Sequence, residues 1–233
     1  MVRQFDSSGY KTISQFYAFS EIQNLLSCIQ EQTEKHPDFQ GTQTLFAIRR
    51  LFKEFPELKE EFLHSKLRTF VQSIHPNYRL VKAIYFDKPP QANWIVNWHQ
   101  DLTVAVTHKK EQEGFTHWLK KKDQYSVHPP LTFLQDQLTL RIHLDDCTSQ
   151  NGALRVIPQT HHDLIRPEDF TDTLLSQEQI CEVEAGGILM MKPLILHSSR
   201  RTENQQSRRV IHLEFSTLDL PEGMQWAEEE DWI

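Results

Sequence analysis

Apolar residues Ile22, Leu25, Leu26 and Ile29 recur at spacings of three and four. That period predicts an amphipathic helix over 19–34. Residues 45–74 repeat it with Leu51, Phe52, Leu58, Phe62, Leu67, Phe70 and Val71. Pro56 lacks an amide hydrogen and predicts a split of this stretch into two helices. The charged residues between the apolar positions read as solvated faces. After residue 79 the texture changes to short strand-like runs at 80–86, 94–98, 138–144, 153–157, 187–191 and 210–215. Turn signals separate them: Pro89-Pro90, Asn151-Gly152, Pro158 and Gly186-Gly187. Helices followed by many short strands predict a mainly β sandwich or barrel with helices packed on one sheet.

The 233 residues suit one domain, with 1–79 as a helical annex and 80–220 as the β core. Residues 107–137 interrupt the strands. They are Lys-rich and aromatic, with Phe115, Trp118, Tyr125 and Pro129-Pro130. They read as a long loop, either a lid over a site or a surface excursion. The acidic end, Glu228 to Asp231, reads as solvated. Lys plus Arg is 25 against 32 for Asp plus Glu, a net charge of −7, which argues against a nucleic-acid partner. Cys28, Cys147 and Cys181 are scattered and fit neither a disulfide framework nor a zinc clip, as expected in a reducing compartment. With no signal-like start and no run approaching a membrane span, a soluble cytoplasmic protein is expected. Oligomeric state is left open. Twelve histidines are the first hint of a metal.

His99-Gln100-Asp101 is a His-x-Asp pair. Residues two apart on an extended segment project to one face, so an imidazole and a carboxylate reach one ion. A second histidine from elsewhere would complete the facial triad of non-haem Fe(II) oxygenases, leaving positions open for a chelating co-substrate and oxygen. The motif alone selects nothing, because His143/Asp145 and His161/Asp163 repeat it and His212/Glu214 is an analogue. The far end of the chain chooses. Pro193-Leu-Ile-Leu-His197 follows a buried run, and Arg208 comes eleven residues after His197. From Arg208 the chain alternates: Val210, His212 and Glu214 share its face, and Ile211, Leu213 and Phe215 share the other. That pattern predicts a polar lumen against an apolar outer face. A planar guanidinium suits a bidentate grip on a carboxylate, so a metal-binding histidine and a carboxylate clamp are expected on neighbouring strands.

The segments Trp98-His99-Gln100-Asp101, Asn151-Gly152-Ala-Leu-Arg-Val-Ile-Pro158-Gln-Thr-His161, His197 with Ser199, and Arg208 resemble the phytanoyl-CoA dioxygenase family of Fe(II)- and 2-oxoglutarate-dependent oxygenases. The resemblance spans about 83–215. It implies a double-stranded β-helix, the cupin-like jelly roll, with the N-terminal helices on its major sheet. It implies iron held by His99, Asp101 and His197, and 2-oxoglutarate held by Arg208 with Ser199. It places Arg141 beside 2-oxoglutarate. The family usually has glycine where Gln159 stands. It further implies O2 as co-substrate, hydroxylation of a small molecule, and release of succinate and CO2. A carboxylate ligand speaks against halogenation, in which that ligand is replaced. Arg49, Tyr85, Trp118, His128 and His143 are candidates for substrate contact. His143 is also read as a residue behind the ligands or a structural one, His161 as a cap on the next segment, and His212 as a supporting residue. The competing functions are a non-catalytic metal-binding jelly roll and a zinc hydrolase.

Overall fold

The structure is a computed structural model, and it describes residues 2–36, 47–63, 65–88, 95–121 and 124–229. Leu45, Trp94, Pro89-Pro90 and the end of the acidic tail at 230–231 lie outside the described residues. In chain order the elements begin with α1 (Val2–Ser8), β1 (Tyr10–Ile13), α2 (Phe19–Lys35), β2 (Ala47–Arg49), α3 (Leu51–Glu54), α4 (Leu58–Phe62) and α5 (Ser65–Ile74). There follow β3 (Arg79–Lys88), β4 (Val96–His99), β5 (Val104–Val106), β6 (Thr116–Lys121), β7 (Gln124–His128), α6 (Leu131–Asp136) and β8 (Leu138–His143). The last are β9 (Leu154–Ile157), α7 (Asp172–Leu175), β10 (Gln179–Cys181), β11 (Ile188–Met191), β12 (Leu196–Ser199) and β13 (Arg208–Ser216).

A six-stranded antiparallel sheet has the order β1-β11-β8-β13-β3-β2, and a four-stranded one the order β10-β9-β12-β4. Residues of both sheets line one cavity, so the two face each other. The alternation of β13 has the expected effect. Ile211, Leu213 and Phe215 lie in the large apolar core with Ile22, Leu25, Leu51, Phe52 and Phe62 of the helices. The apolar face of the strand is therefore on the outer side of the six-stranded sheet and under the helices, where both partners lose water. β11 divides likewise: Ile188 and Met190 join the helical core, and Leu189 and Met191 pack with Leu154 and Val156 between the sheets.

Three expectations need correction. Residues 47–49 form an edge strand and no helix, and β1 adds a second strand from the annex. The annex thus extends the sheet as well as covering it. Residues 107–137 are no loop: β6 and β7 form a hairpin that pairs with β5. This third sheet has its own core of Val104, Val106, Phe115 and Val127, packed with Leu194 and Trp226. Glu228 is buried, and its carboxylate accepts hydrogen bonds from the amides of Phe52 (2.7 Å) and Ala83 (2.7 Å). It fastens α3 to β3, because a buried amide needs an acceptor. Among the described residues no helix is long and apolar enough to cross a membrane.

Candidate metal centre

β4 and β12 are antiparallel neighbours that place His99 directly opposite His197. Their rings lie 4.2 Å apart at a tilt of 49°. One side-chain atom each from His99, Asp101 and His197 falls within 4.8 Å of the others. The Nδ1 of His99 meets the Asn97 carbonyl at 2.8 Å, and that of His197 meets the Ile195 carbonyl at 2.8 Å. A carbonyl only accepts, so each Nδ1 carries a proton, which leaves Nε2 as the nitrogen turned toward a metal. Both Nε2 atoms face the Asp101 carboxylate, at 3.8 and 3.7 Å. Burial pushes the Asp101 carboxyl up, but His197, His212, Lys82 and His99 outweigh it and hold the group at about 2. Burial drives His197 down to about 4, against the pull of Asp101. Near neutral pH the set therefore offers a carboxylate and a neutral imidazole in ligand form.

The residue between His99 and Asp101 turns away and secures this turn. The Gln100 amide donates to the carbonyls of Leu194 (2.5 Å), Asp163 (2.9 Å) and Thr160 (3.3 Å). Its carbonyl accepts from the Ile165 amide at 2.9 Å. The Asp101 amide donates to the Pro193 carbonyl at 3.0 Å, tying this turn to the approach to β12. Sequence reasoning missed Gln100. Its signal was alternation, which sends the middle residue of His-x-Asp to the opposite face.

A cavity of about 230 Å³ opens beside His99, Asp101 and His197 and is lined by Phe86, Arg141, Ser199, Arg208 and His212. Arg208 heads β13, is buried, and donates to the Gly152 carbonyl at 2.6 Å. Gly152 is left-handed at φ +82°, and a Cβ there would meet the Arg200 carbonyl oxygen at 2.8 Å. The Asn151-Gly152 turn thus brings a backbone carbonyl to Arg208 where only glycine fits. β12 and β13 belong to different sheets, so His197 and Arg208 face each other across the cavity. The expectation of neighbouring strands is corrected: eight intervening residues carry the chain from one sheet to the other.

Arg141 points into the cavity, and its Nη1 meets His212 Nδ1 at 3.0 Å. Arginine only donates, so that nitrogen accepts and the proton sits on Nε2, which meets Glu214 Oε1 at 2.9 Å. Lys82 donates to the same oxygen at 2.6 Å. A chain of polar contacts, Arg141–His212–Glu214–Lys82, thus crosses β8, β13 and β3 of the six-stranded sheet. Burial and then Arg208 lower Arg141 to about 10, so it stays charged near neutral pH. Lys88 stands opposite Arg208 and also lines the cavity; burial and Arg208 lower its ammonium to about 8.

Of the proposed substrate contacts, Tyr85 is corrected. It lies in the helical core, and its hydroxyl donates to Asp87 at 3.3 Å. Trp118 packs on Tyr125 within the third sheet, and His128 stacks on His117 at 4.6 Å. His143 is buried on the cavity side of β8. His161 meets the Asp6 carbonyl at 3.1 Å and supports α1.

The phytanoyl-CoA dioxygenase (PhyH) family model matches residues 5–210. The chain belongs to that family. It is a 2-oxoglutarate-dependent non-haem iron oxygenase that uses Fe(II), 2-oxoglutarate and O2. No curated protein matches the sequence. Solved structures of the same fold include HygX from Streptomyces hygroscopicus with nickel and 2-oxoglutarate bound. It is 14% identical, with 92% of this chain and 85% of that one covered and a TM-score of 0.65. EctD from S. alaskensis with bound Fe is 14% identical, at 92% and 75% coverage and a TM-score of 0.69. SnoK, a non-heme alpha ketoglutarate dependent carbocyclase from nogalamycin biosynthesis, is 15% identical, at 97% and 85% coverage and a TM-score of 0.67. The donor set fits the family's metal: two imidazoles and a carboxylate on one face, with orienting carbonyls behind both rings. The unpartnered buried Nε of Arg141 shows polar capacity in the same cavity.

Proposed function

We propose that this family member hydroxylates a small molecule, with iron held by His99, Asp101 and His197. The observation that carries the reading is the convergence of one donor atom from each within 4.8 Å, beside a cavity with a buried arginine. Fe(II) with 2-oxoglutarate and O2 supplies an oxidant able to insert oxygen into a C–H bond, leaving succinate and CO2.

The chain's own residues bind, orient and exclude water. Arg208 takes the distal carboxylate of 2-oxoglutarate in a bidentate grip, and Ser199, on the facing strand, donates to it. The Gly152 carbonyl holds the guanidinium in place for that grip. Arg141 borders the same space, fixes His212, and adds positive charge that favours a dianionic co-substrate. The apolar walls, Phe86, Leu154 and Val210, keep water from the reacting groups. No side chain is required as a general base.

Anaerobic titration of the protein with Fe(II) and 2-oxoglutarate tests the reading, and a visible charge-transfer band is the expected result. Its absence would sink the proposal. Arg208→Ala should raise the 2-oxoglutarate requirement far more than the Fe(II) requirement, measured as succinate release. Equal losses in both would remove Arg208 from its role.

A further inference from the structure

Arg208 and the ligands leave the opposite end of β13 unexplained. β13 pairs Arg208 with Lys88, His212 with Ile84 and Glu214 with Lys82. At ~3.3 Å per residue, Arg208 and Glu214 stand roughly 20 Å apart along the strand. On β3, Phe86 and Lys88 line the cavity, so Ile84 and Lys82, two and four residues before Phe86, share that face. On the next strand Arg49 pairs with Ile84, while Ile48 pairs with Tyr85 and joins the helical core. Arg49 therefore stands on the cavity face of the edge strand, diagonal to Lys82, a placement that brings long side chains within reach.

Lys121 closes the group from the third sheet, at the end of β6. Burial pushes its ammonium down, and the charges of Arg49 and Lys82 push it further. Lys82 has an ion pair with Glu214. Among the described residues neither Arg49 nor Lys121 has a carboxylate partner. The group reaches the cavity through Glu214, whose Oε1 is shared by Lys82 and by His212, a lining residue of the cavity. Two cations without a carboxylate partner among the described residues and a paired one thus stand toward the end of β13 away from Arg208. Like charges brought together oppose one another unless an anion sits among them.

We propose that Arg49, Lys82 and Lys121 form a collar that grips a carboxylate or phosphate group of the substrate, at the end of the cavity away from the 2-oxoglutarate clamp. This rests on the oxygenase reading and names the substrate class for it. Arg49 supplies a planar fork for two oxygens, and the lysines supply point charges. An anionic tail held there leaves the rest of the molecule pointing at the ligands.

The test uses protein loaded with Ni(II), which does not support turnover, and saturated with 2-oxoglutarate so that Arg208 is occupied. Butan-1-ol, butanoate and butyl phosphate, alike in carbon chain, are titrated at low ionic strength by calorimetry. Butanoate, butyl phosphate or both should bind at least tenfold tighter than butan-1-ol, and which does so separates the two anion classes. Arg49→Gln and Lys121→Gln should each weaken the favoured anion about tenfold. Arg166→Gln, an exposed charge elsewhere, should leave it unchanged. Melting temperatures check that the variants fold. The collar is overturned if no anion outbinds the alcohol, or if the two variants bind as the parent does. Failure of the parent to bind 2-oxoglutarate would instead bring down the oxygenase reading.

Discussion

His99/Asp101 and His143/Asp145 are the same motif on strands of facing sheets, and they end in opposite states. His99 ends β4, where the chain leaves its sheet, and Asp101 follows at a turn held by Pro193 and Gln100. His143 ends β8 but is buried, and among the described residues neither ring nitrogen has a partner. Burial, then Arg141 and Arg208, push it well below the usual histidine range. Asp145 swings to the outer face and accepts from the Arg209 amide (2.9 Å), Nε (2.8 Å) and Nη2 (2.6 Å). Spacing brings a histidine and an aspartate near one another; the surrounding charge decides what they do. Two arginines beside His143 repel a cation, whereas a second histidine opposite His99 welcomes one.

The sharpest way to break this contrast is to remove each aspartate. Asp101→Ala should cut Fe(II) affinity by more than ~100-fold, beyond the usual cost of losing an outer partner, and abolish succinate release. Asp145→Ala should leave Fe(II) binding intact and cost about 1–2 kcal/mol of stability, since Arg209 loses a well-formed pair. Iron titration and urea unfolding of both variants separate the outcomes. Loss of iron binding in Asp145→Ala would erase the distinction.

Both histidines of the cavity interior, His197 and His143, are held neutral by burial. Their folded pKa values lie below the unfolded value of ~6.5, so the unfolded chain binds more protons in acid. Their contribution is complete above about pH 6.5 and falls as pH drops. For His197 the loss runs down to about 4 and amounts to about 3 kcal/mol. Urea unfolding of metal-free protein from pH 7.5 to 4 should show this fall, and Fe(II) should oppose it by binding the neutral ring. A flat profile would mean that neither ring is kept neutral.

Gln100 sharpens the contrast from the other side, because no such anchor sits between His143 and Asp145; Leu144 there is core. Gln100→Ala leaves the carbonyls of Leu194 and Asp163 and the amide of Ile165 without their partner. A cost of about 2 kcal/mol is expected, from groups left unsatisfied on burial. Fe(II) affinity should fall about tenfold as Asp101 loosens. Unchanged iron affinity would make Gln100 structural only.

What was legible in the residues follows the strength of each local pattern. The helix over 19–34 appears as Phe19–Lys35, and the β13 alternation assigns Arg208 to the cavity and Arg209 to the outer face. The convergence of His99, Asp101 and His197 was expected from the family resemblance, which singled out His197 where chain spacing alone left many histidines. β2, β5 and β10, at three residues each, were too short for a period to show, and their partners lie far away in sequence. The hairpin in 107–137 was hidden because β6 is mostly exposed and rich in lysine, so no apolar alternation marks it. Glu228 was illegible for another reason: an acid in a charged run looks solvated, and its buried amide partners are 176 and 145 residues away.

The third pair, His161/Asp163, carries the smallest effect and follows a turn under backbone strain. The turn before it places Gln159 at φ +68°, in the left-handed region, at the position where the family usually has glycine. A side chain with a Cβ there costs roughly 1 kcal/mol that glycine does not. The turn persists because neighbours hold it: the Gln159 amide donates to the Ser8 carbonyl at 3.0 Å. Thr160 Oγ1 donates to the Ile157 carbonyl (2.7 Å) and accepts from the Leu196 amide (2.8 Å), directly before His197. Gln159→Gly keeps every one of these backbone bonds and relieves the strain. It should stabilise the fold by about 0.5–1 kcal/mol, less than the full relief because glycine also gains freedom in the unfolded chain. Unfolding midpoints in urea would read the change, with Fe(II) affinity unaltered. A destabilised variant would show that the glutamine side chain makes contacts outweighing its backbone cost.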